Sequence, residues 1–327
     1  MSNYIVTGAT GHIGNVIVRK LAERGESVKA VVRNNSDITC FNDIKTDLVF
    51  GNFSAENFMS SIIEKGDIVI HCAAMVEIGA GNRDEVMRVN YEGTKIVADA
   101  CLHNKAERLV YVSSVDCFFK EKSGVVKEPE EFYPEKLKSA YAESKALATK
   151  YVFDSVKNNN LNAVVIYPTA VTGKYDWKVS NLGQVVKDYQ NGKTLARIKG
   201  GYNFVDVEDV AEGIISAAEK GRTGEGYILS GEGANVDEMF EILRKLKGKK
   251  NLPPKIPSFL VEIFAPLAEL YYKKRNIRPA FTKTAIQALK SNYNYSSEKA
   301  EAELGYTHIS AEEALTNSYN WFASLKN

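Results

Sequence analysis

The chain has 327 residues, enough for a full α/β domain and a smaller appendage. Hydrophobic residues make up 44% and charged residues 25%, ordinary proportions for a globular protein. Lys and Arg number 42 against 41 Asp and Glu; a net charge of +1 lacks the basic surplus of nucleic-acid binders, and no apolar run approaches a membrane span.

The first two-thirds alternate strand-like and helix-like segments, the pattern of a parallel sheet covered on both faces. YIVT at 4–7 reads as a strand, and NVIVRKLAERG at 15–25 as a helix closed by Gly25. Strands follow at 27–33 and 47–52, a helix around 54–65, and a strand at 67–74. A long helix is expected over 85–104, then RLVYVSS at 108–114, a helix at 139–158 and the strand NAVVIYP at 162–168. Past Pro168 the alternation is lost. FVDVEDVAEGIISAAEK at 204–220 reads as a strand edge and a helix, GEGYILSG at 224–231 as a strand, and 232–327 as mainly helical, with a Pro-rich break at 252–257.

Cys40, Cys72, Cys101 and Cys117 are widely spaced, without a CxxC pair or a Cys/His pattern, so no metal site is expected. They read as unpaired thiols of a reducing compartment. Met1 runs into a strand within a few residues, leaving no room for a leader, and a cytoplasmic location is the expectation.

The first strand runs directly into GATGHIG, with glycines at 8, 11 and 14, and then a helix. A dinucleotide-binding turn has this context. Gly8 permits the tight turn, Gly11 lets backbone approach a pyrophosphate, and Gly14 lets helix and strand pack closely. Thr10, His12 and Ile13 stand within the same turn and the start of its helix, whose N-terminus would face the anion. An acidic residue at the end of the second strand would bind a ribose 2′-hydroxyl. This chain has Arg33 there, followed by Asn34, Asn35 and Ser36, which favours a 2′-phosphate and hence NADP(H) over NAD(H). Asp37, four residues on, could still swing in. Asn52 and Phe53 could flank the adenine, and the small Ala73 and Ala74 would let the ribose lie against backbone. His71, on an apolar strand, reads as a satisfied core histidine.

The fifth strand ends at Ser113-Ser114, and Tyr141-Ala-Glu-Ser-Lys145 follows on a helix. Tyr141 and Lys145, four apart, share one helix face. An ammonium beside a phenol favours phenolate, so Lys145 is expected to lower the Tyr141 pKa toward working pH. The phenol could then exchange a proton with a carbinol oxygen while Ser114 hydrogen-bonds that oxygen, and Lys145 could also hold the nicotinamide ribose.

TGATGHIG, HCAA, MRVNYEGT, VYVSSV, YAESK, IYP and FVDVEDVA stand in the order and spacing of the extended short-chain dehydrogenases/reductases, which the chain resembles over nearly its whole length. Within that family it is similar to dihydroflavonol-reductase-like and 3β-hydroxysteroid-dehydrogenase-like members, and to bacterial proteins labelled sugar epimerases. The resemblance implies that Ser114, Tyr141 and Lys145 form the catalytic group. It implies that Asn90 supports the active-site hydrogen bonds, and that Pro168 and Thr169 through Val171 meet the nicotinamide carboxamide. GNF at 51–53 departs from the usual Gly-Asp-hydrophobic triplet. The expected fold is α/β, a Rossmann-type doubly wound parallel sheet with a smaller, mostly helical C-terminal substrate-binding region. Residues 1–170, with 204–231 folding back, form the dinucleotide-binding domain; 171–203 and 232–327 form the substrate-binding region.

Val76 with Glu77, Asp116, Phe118, Tyr175, Trp177 and Leu182 are candidates to line the substrate pocket, and Lys174 and Lys178 lie beside the last three. Aromatic residues here, with Arg197 the only arginine between 159 and 221, suggest a planar or apolar substrate rather than a nucleotide sugar. Lysines can also bind phosphate, which tempers that inference. The expectation is an NADP(H)-dependent reductase or dehydrogenase for a hydrophobic ketone or aldehyde and its alcohol. The alternatives are a nucleotide-sugar epimerase or dehydratase with retained NAD(P), and a non-catalytic NADP-binding sensor. The apolar stretch 256–275 reads as a lid helix over the pocket, with a membrane-surface helix as the alternative. By resemblance a homodimer through helices 85–104 and 139–158 is expected.

Overall fold

The computed structural model describes residues 3–55, 57–76, 83–194, 196–257 and 289–325. Its strands are β1 (Asn3–Thr7), β2 (Ser27–Val32), β3 (Asp47–Phe50), β4 (Ile68–His71), β5 (Arg108–Val112), β6 (Ala163–Pro168), β7 (Ala170–Thr172), β8 (Gly201–Asp206), β9 (Gly226–Leu229) and β10 (Glu232–Asn235). Its helices are α1 (His12–Glu23), α2 (Phe58–Ile62), α3 (Arg83–Met87), α4 (Gly93–His103), α5 (Ala140–Asn159), α6 (Asn181–Gln190), α7 (Val207–Lys220), α8 (Val236–Lys247), α9 (Glu298–Leu304) and α10 (Ala311–Ser324).

Seven strands lie in one sheet in the order β3-β2-β1-β4-β5-β6-β9, every neighbouring pair parallel. Both faces are covered, which explains why these strands are continuous apolar runs. Val16, Ile17 and Leu21 of α1 pack with Val210, Ile214 and Ile215 of α7 and Leu304 of α9 on one face. Met59 of α2, Val97 and Cys101 of α4, and Ala148 and Val152 of α5 pack on the other. The four cysteines are free thiols, as composition implies. Among the described residues no helix is long and apolar enough to cross a membrane.

Two elements differ from their sequence pattern. The helix expected around 54–65 shrinks to Phe58–Ile62, because Asn57 takes a left-handed conformation (φ 64°) and Ile63 is already extended. The long helix begins at Arg83 and carries a π-helical turn over Arg88–Glu92 between α3 and α4. Such a turn inserts a residue and re-aims the side chains around it.

The smaller region contains a sheet as well as helices. β8 pairs antiparallel with β10 and parallel with β7, so 204–231 is divided: its strand edge lies in this second sheet, while α7 and β9 return to the large one. Val186 of α6, Phe240 and Leu243 of α8, and Leu315 and Phe322 of α10 pack with Phe204 of β8. Buried Asn203 ties the two sheets together. It accepts hydrogen bonds from Thr169 Oγ1 (2.8 Å) and the Gly231 N–H (2.8 Å) and donates to the Gly231 carbonyl (3.0 Å). Most of the stretch 256–275 lies outside the described residues.

His71 closes β4 with no solvent exposure. Thr94 Oγ1 gives its proton to the Asn90 carbonyl (2.6 Å), so His71 Nε2 must donate to Thr94 (3.1 Å), and Thr7 Oγ1 donates to Nδ1 (2.6 Å). Both nitrogens are satisfied in the neutral ring, and burial, with the Lys145 charge adding to it, pushes the His71 pKa down to about 3. The folded value lies below the ordinary 6.5, so this contribution to stability is complete above pH 6.5 and is lost as pH falls toward 3. From pH 7 to pH 5 it amounts to about 2 kcal/mol. Urea denaturation at both pH values should show the His71→Gln variant losing less stability than wild type by about that amount; equal losses would assign the acid sensitivity elsewhere.

Candidate active site

The coenzyme cleft opens where strand order reverses, between β1 and β4. Gly8 ends β1 in a left-handed conformation (φ 69°), and a Cβ there would stand 2.7 Å from the Ala73 nitrogen. At Gly14 a Cβ would come within 2.4 Å of the Gly8 carbonyl oxygen. The Gly11 N–H closes the turn on that same carbonyl (2.8 Å). α1 then starts with no side-chain cap and no acidic residue in its first turn. Its free N–H groups and dipole fit an anion, and the glycine cradle fits a dinucleotide.

Thr10 and Ala73 are buried beside this cradle, and His12, Ile13 and Ala74 are half-buried. The His12 ring is engaged: its Nε2 donates to the Lys174 carbonyl (2.7 Å). Arg33 stands exposed past the end of β2. Asn52 Oδ1 accepts from the Ser54 N–H and hydroxyl, closing its own turn, and the Phe53 ring packs 5.3 Å from His71. Pro168 is buried at the end of β6, and Val171 is half-buried against the core.

Ser114 follows β5, and Tyr141 and Lys145 occupy the first turns of α5, whose N-terminus is capped by the Ser139 side chain accepting from Ala142 N–H. Ser114 Oγ accepts from the Asp116 N–H (3.1 Å), and its hydroxyl is hydrogen-bonded to the Tyr141 phenol. Lys145 is 2% exposed; Nζ donates to the Val112 carbonyl (2.7 Å) and sits 4.8 Å from the Tyr111 ring centre. The expected electrostatic coupling is not what the structure holds. Burial pushes the Tyr141 phenol up and the nearby Asp116 carboxylate adds to this, while the hydrogen bond with the Ser114 hydroxyl opposes them. Burial also pulls Lys145 down to about 8. In this environment Tyr141 is a protonated acid at neutral pH rather than a phenolate.

Asn90 sits in the π-helical turn and is 1% exposed. Its Oδ1 accepts from the Met75 N–H (2.7 Å), and Nδ2 donates to the Met75 carbonyl (3.0 Å) and to Ser144 Oγ (3.0 Å). Ser144 in turn donates to the Tyr141 carbonyl (2.8 Å). Asn90 thus clamps the segment after β4, at Met75, to the turn carrying Tyr141, a positioning role. Thr94, Ser144 and His71 complete that network; single-position patterns do not reveal them because the contacts that join its parts, His71 with Thr94 and Asn90 with Ser144, span 23 and 54 residues.

A cavity of about 100 Å³ opens beside Ser114. Asp116, Lys120 and Thr169 line it from the large sheet's edge, Tyr202 and Asn203 from β8, and Tyr293 and Tyr295 from the segment before α9. Among the expected lining residues, Asp116 is present. Phe118 is 4% exposed and packs edge-on to Tyr167 (4.8 Å) in the core. Trp177 packs against Trp321 (4.9 Å), Tyr175 lies between the Arg19 guanidinium (4.2 Å) and Trp321, and Leu182 joins the core under the second sheet. Val76 is exposed at 56%, and Glu77 lies outside the described residues. Tyr202, Tyr293 and Tyr295 reach the cavity through pairings that no periodicity announces: β8 with its neighbours, and Tyr295 bridged to Val126.

Residues 4–230 match the NAD dependent epimerase/dehydratase family. The chain is 27% identical over 323 residues to sterol demethylase protein B of Methylococcus capsulatus, covering 97% of each chain. It is 25% identical to a decarboxylating sterol-4-alpha-carboxylate 3-dehydrogenase of Dictyostelium discoideum, covering 94% of this chain and 97% of the relative. Among solved structures it superposes on gox2253 with a TM-score of 0.86 at 29% identity, covering 99% of both. The chain belongs to the NAD dependent epimerase/dehydratase family, within the extended short-chain dehydrogenases/reductases, enzymes that work with a nicotinamide dinucleotide.

Proposed function

We propose that the protein is an NADP(H)-dependent reductase/dehydrogenase that interconverts a ketone or aldehyde on an apolar, ring-bearing molecule with its alcohol. The observation that carries this reading is the meeting of Ser114, at the edge of β5, with a cavity bearing the rings of Tyr202, Tyr293 and Tyr295, while Tyr141 and Lys145 stand on adjoining α5. Faces of aromatic rings suit an apolar ring system. The sterol names of two relatives agree with that class. Arg197, the arginine a sugar diphosphate would call on, is committed to Asp237 and the Pro253 carbonyl.

The glycine turn, the N-terminus of α1 and the small Ala73 and Ala74 would hold the dinucleotide, with Arg33 at its 2′-phosphate end. Asp37, the carboxylate that could have served a ribose hydroxyl, accepts the Thr39 N–H (2.9 Å), which supports NADP(H) over NAD(H). When bound, the coenzyme supplies hydride exchange at the substrate's carbinol carbon. Tyr141, held protonated, gives its proton to the carbonyl oxygen during reduction and takes it back in oxidation. The Ser114 hydroxyl, hydrogen-bonded to Tyr141, would hold the same oxygen beside that phenol, and Asn90 fixes the turn on which Tyr141 stands. Lys145, charged below about pH 8, would hold the nicotinamide ribose beside Tyr141.

The test is a panel of ring-bearing ketones and alcohols followed by the absorbance of NADPH and NADH in parallel. Tyr141→Phe should lower turnover by about 10²- to 10⁴-fold while NADPH still binds; preserved turnover would refute the proton-transfer role. An epimerase would instead keep its coenzyme through purification and show no net oxidation or reduction. The rate of reduction should be level below about pH 8 and fall above it as Lys145 loses its charge. In Lys145→Arg the fall should move to higher pH, and an unmoved profile would assign it to another group.

A further inference from the structure

We propose that Lys178, reaching over from the loop between β7 and α6, completes the 2′-phosphate site of NADP(H) together with Arg33 and Thr10. The proposal rests on the coenzyme reading above and adds a residue from the substrate side of the molecule to it. Lys178 Nζ donates to Thr10 Oγ1 (2.5 Å), a contact spanning 168 residues that lands inside the glycine turn. Thr10 itself is buried against that turn.

The loop that presents Lys178 is fixed from several sides. His12 donates to the Lys174 carbonyl, Tyr175 lies under the Arg19 guanidinium, and the Asp176 carboxylate accepts the Ser180 N–H (2.8 Å) and hydroxyl (2.7 Å). Tyr175 (φ 61°) and Val179 (φ 52°) are both left-handed, a conformation that β-branched residues such as Val179 rarely adopt. This geometry spends backbone strain to deliver one ammonium to the coenzyme cleft.

The charges there are unbalanced. Lys174, in the same loop, is neutralised by Glu208 (3.1 Å), whereas neither Lys178 nor Arg33 makes an ion pair among the described residues. Burial, and then repulsion from Arg33, lowers the Lys178 pKa, so the two cations act on each other. Cys40 and Asp37 also act on Lys178, their attraction ranking below the Arg33 repulsion, and one Asp37 oxygen accepts the Thr39 N–H. Two cations and a hydroxyl gathered at the mouth of a dinucleotide turn match a phosphate of nearly two negative charges. A ribose hydroxyl would leave the pair repelling.

Calorimetry on the full chain with NADPH, NADH and adenosine 2′,5′-bisphosphate separates the possibilities without any turnover assay. Lys178→Met should weaken NADPH and the bisphosphate by about 10- to 100-fold and leave NADH within about threefold; Lys178→Arg should restore most of the loss. If wild type prefers NADPH but Lys178→Met weakens NADPH and NADH equally, or neither, Lys178 has no part in reading the 2′-phosphate and the coenzyme reading stands. If wild type binds NADH as tightly as NADPH, the coenzyme reading itself falls and this proposal with it.

Discussion

The site depends on one backbone contact, the approach of Gly8 to Ala73 where β1 and β4 end side by side. Their register pairs Thr7 with His71, one residue before Gly8 and two before Ala73. The Thr7 to His71 hydrogen bond therefore locks the rung beneath the cleft floor, and a slip by one residue would bury the polar pair without partners. From His71 the same chain of hydrogen bonds runs through Thr94 to the Asn90 carbonyl, and the Asn90 side chain reaches Ser144. The coenzyme cradle and the turn bearing Tyr141 are thus held by one continuous buried network.

That network sits in surroundings that disfavour charge. Burial drives His71 toward its neutral form, Tyr141 toward its protonated form, and Lys145 down to about 8. The free cationic charge lies instead at the rim, on Arg33 and Lys178, where a phosphate would be met in partial solvent. On the proposed reading the division separates binding from chemistry: the rim cations would meet the coenzyme, while burial disfavours charge on the groups beside Tyr141. A phenol and an amine that are both poorly solvated need little rearrangement of water when a proton moves.

The seven parallel strands, the glycine turn and the Ser114, Tyr141 and Lys145 spacing were legible in the sequence because each is a local signal. Fully buried strands are apolar throughout, a tight turn against a neighbouring strand demands glycine, and a four-residue spacing lies on one helix face. Arg33 could be placed at a strand end for the same reason. What the sequence did not show depends on distant partners. Phe118 is a core residue because of the surface that Tyr167 brings to it, Leu182 is half-buried against the cluster around Phe204, and an aromatic run alone does not separate core from pocket. The π-helical turn that aims Asn90 leaves no mark on hydrophobic spacing. The Tyr141 pKa was expected to follow its charged helix neighbour, but desolvation of the phenol outweighs a lysine that points at the Val112 carbonyl.

The second sheet shows why the substrate side is the less legible half. Only Thr169 separates β6 from β7, so the chain leaves the large sheet at the edge that carries Gly8, Ala73 and Ser114. β8 must then pair with so short a strand, and Asn203 anchors it back through Thr169 and Gly231. Tyr202 and Asn203, neighbours on one strand, point to opposite faces in a regular pleat, yet both border the cavity. Its shape is accordingly set by Tyr202, Tyr293 and Tyr295, on segments that can change without disturbing the glycine cradle. The glycine cradle and most of the cavity wall are thus built by separate parts of the chain, joined at Asn203.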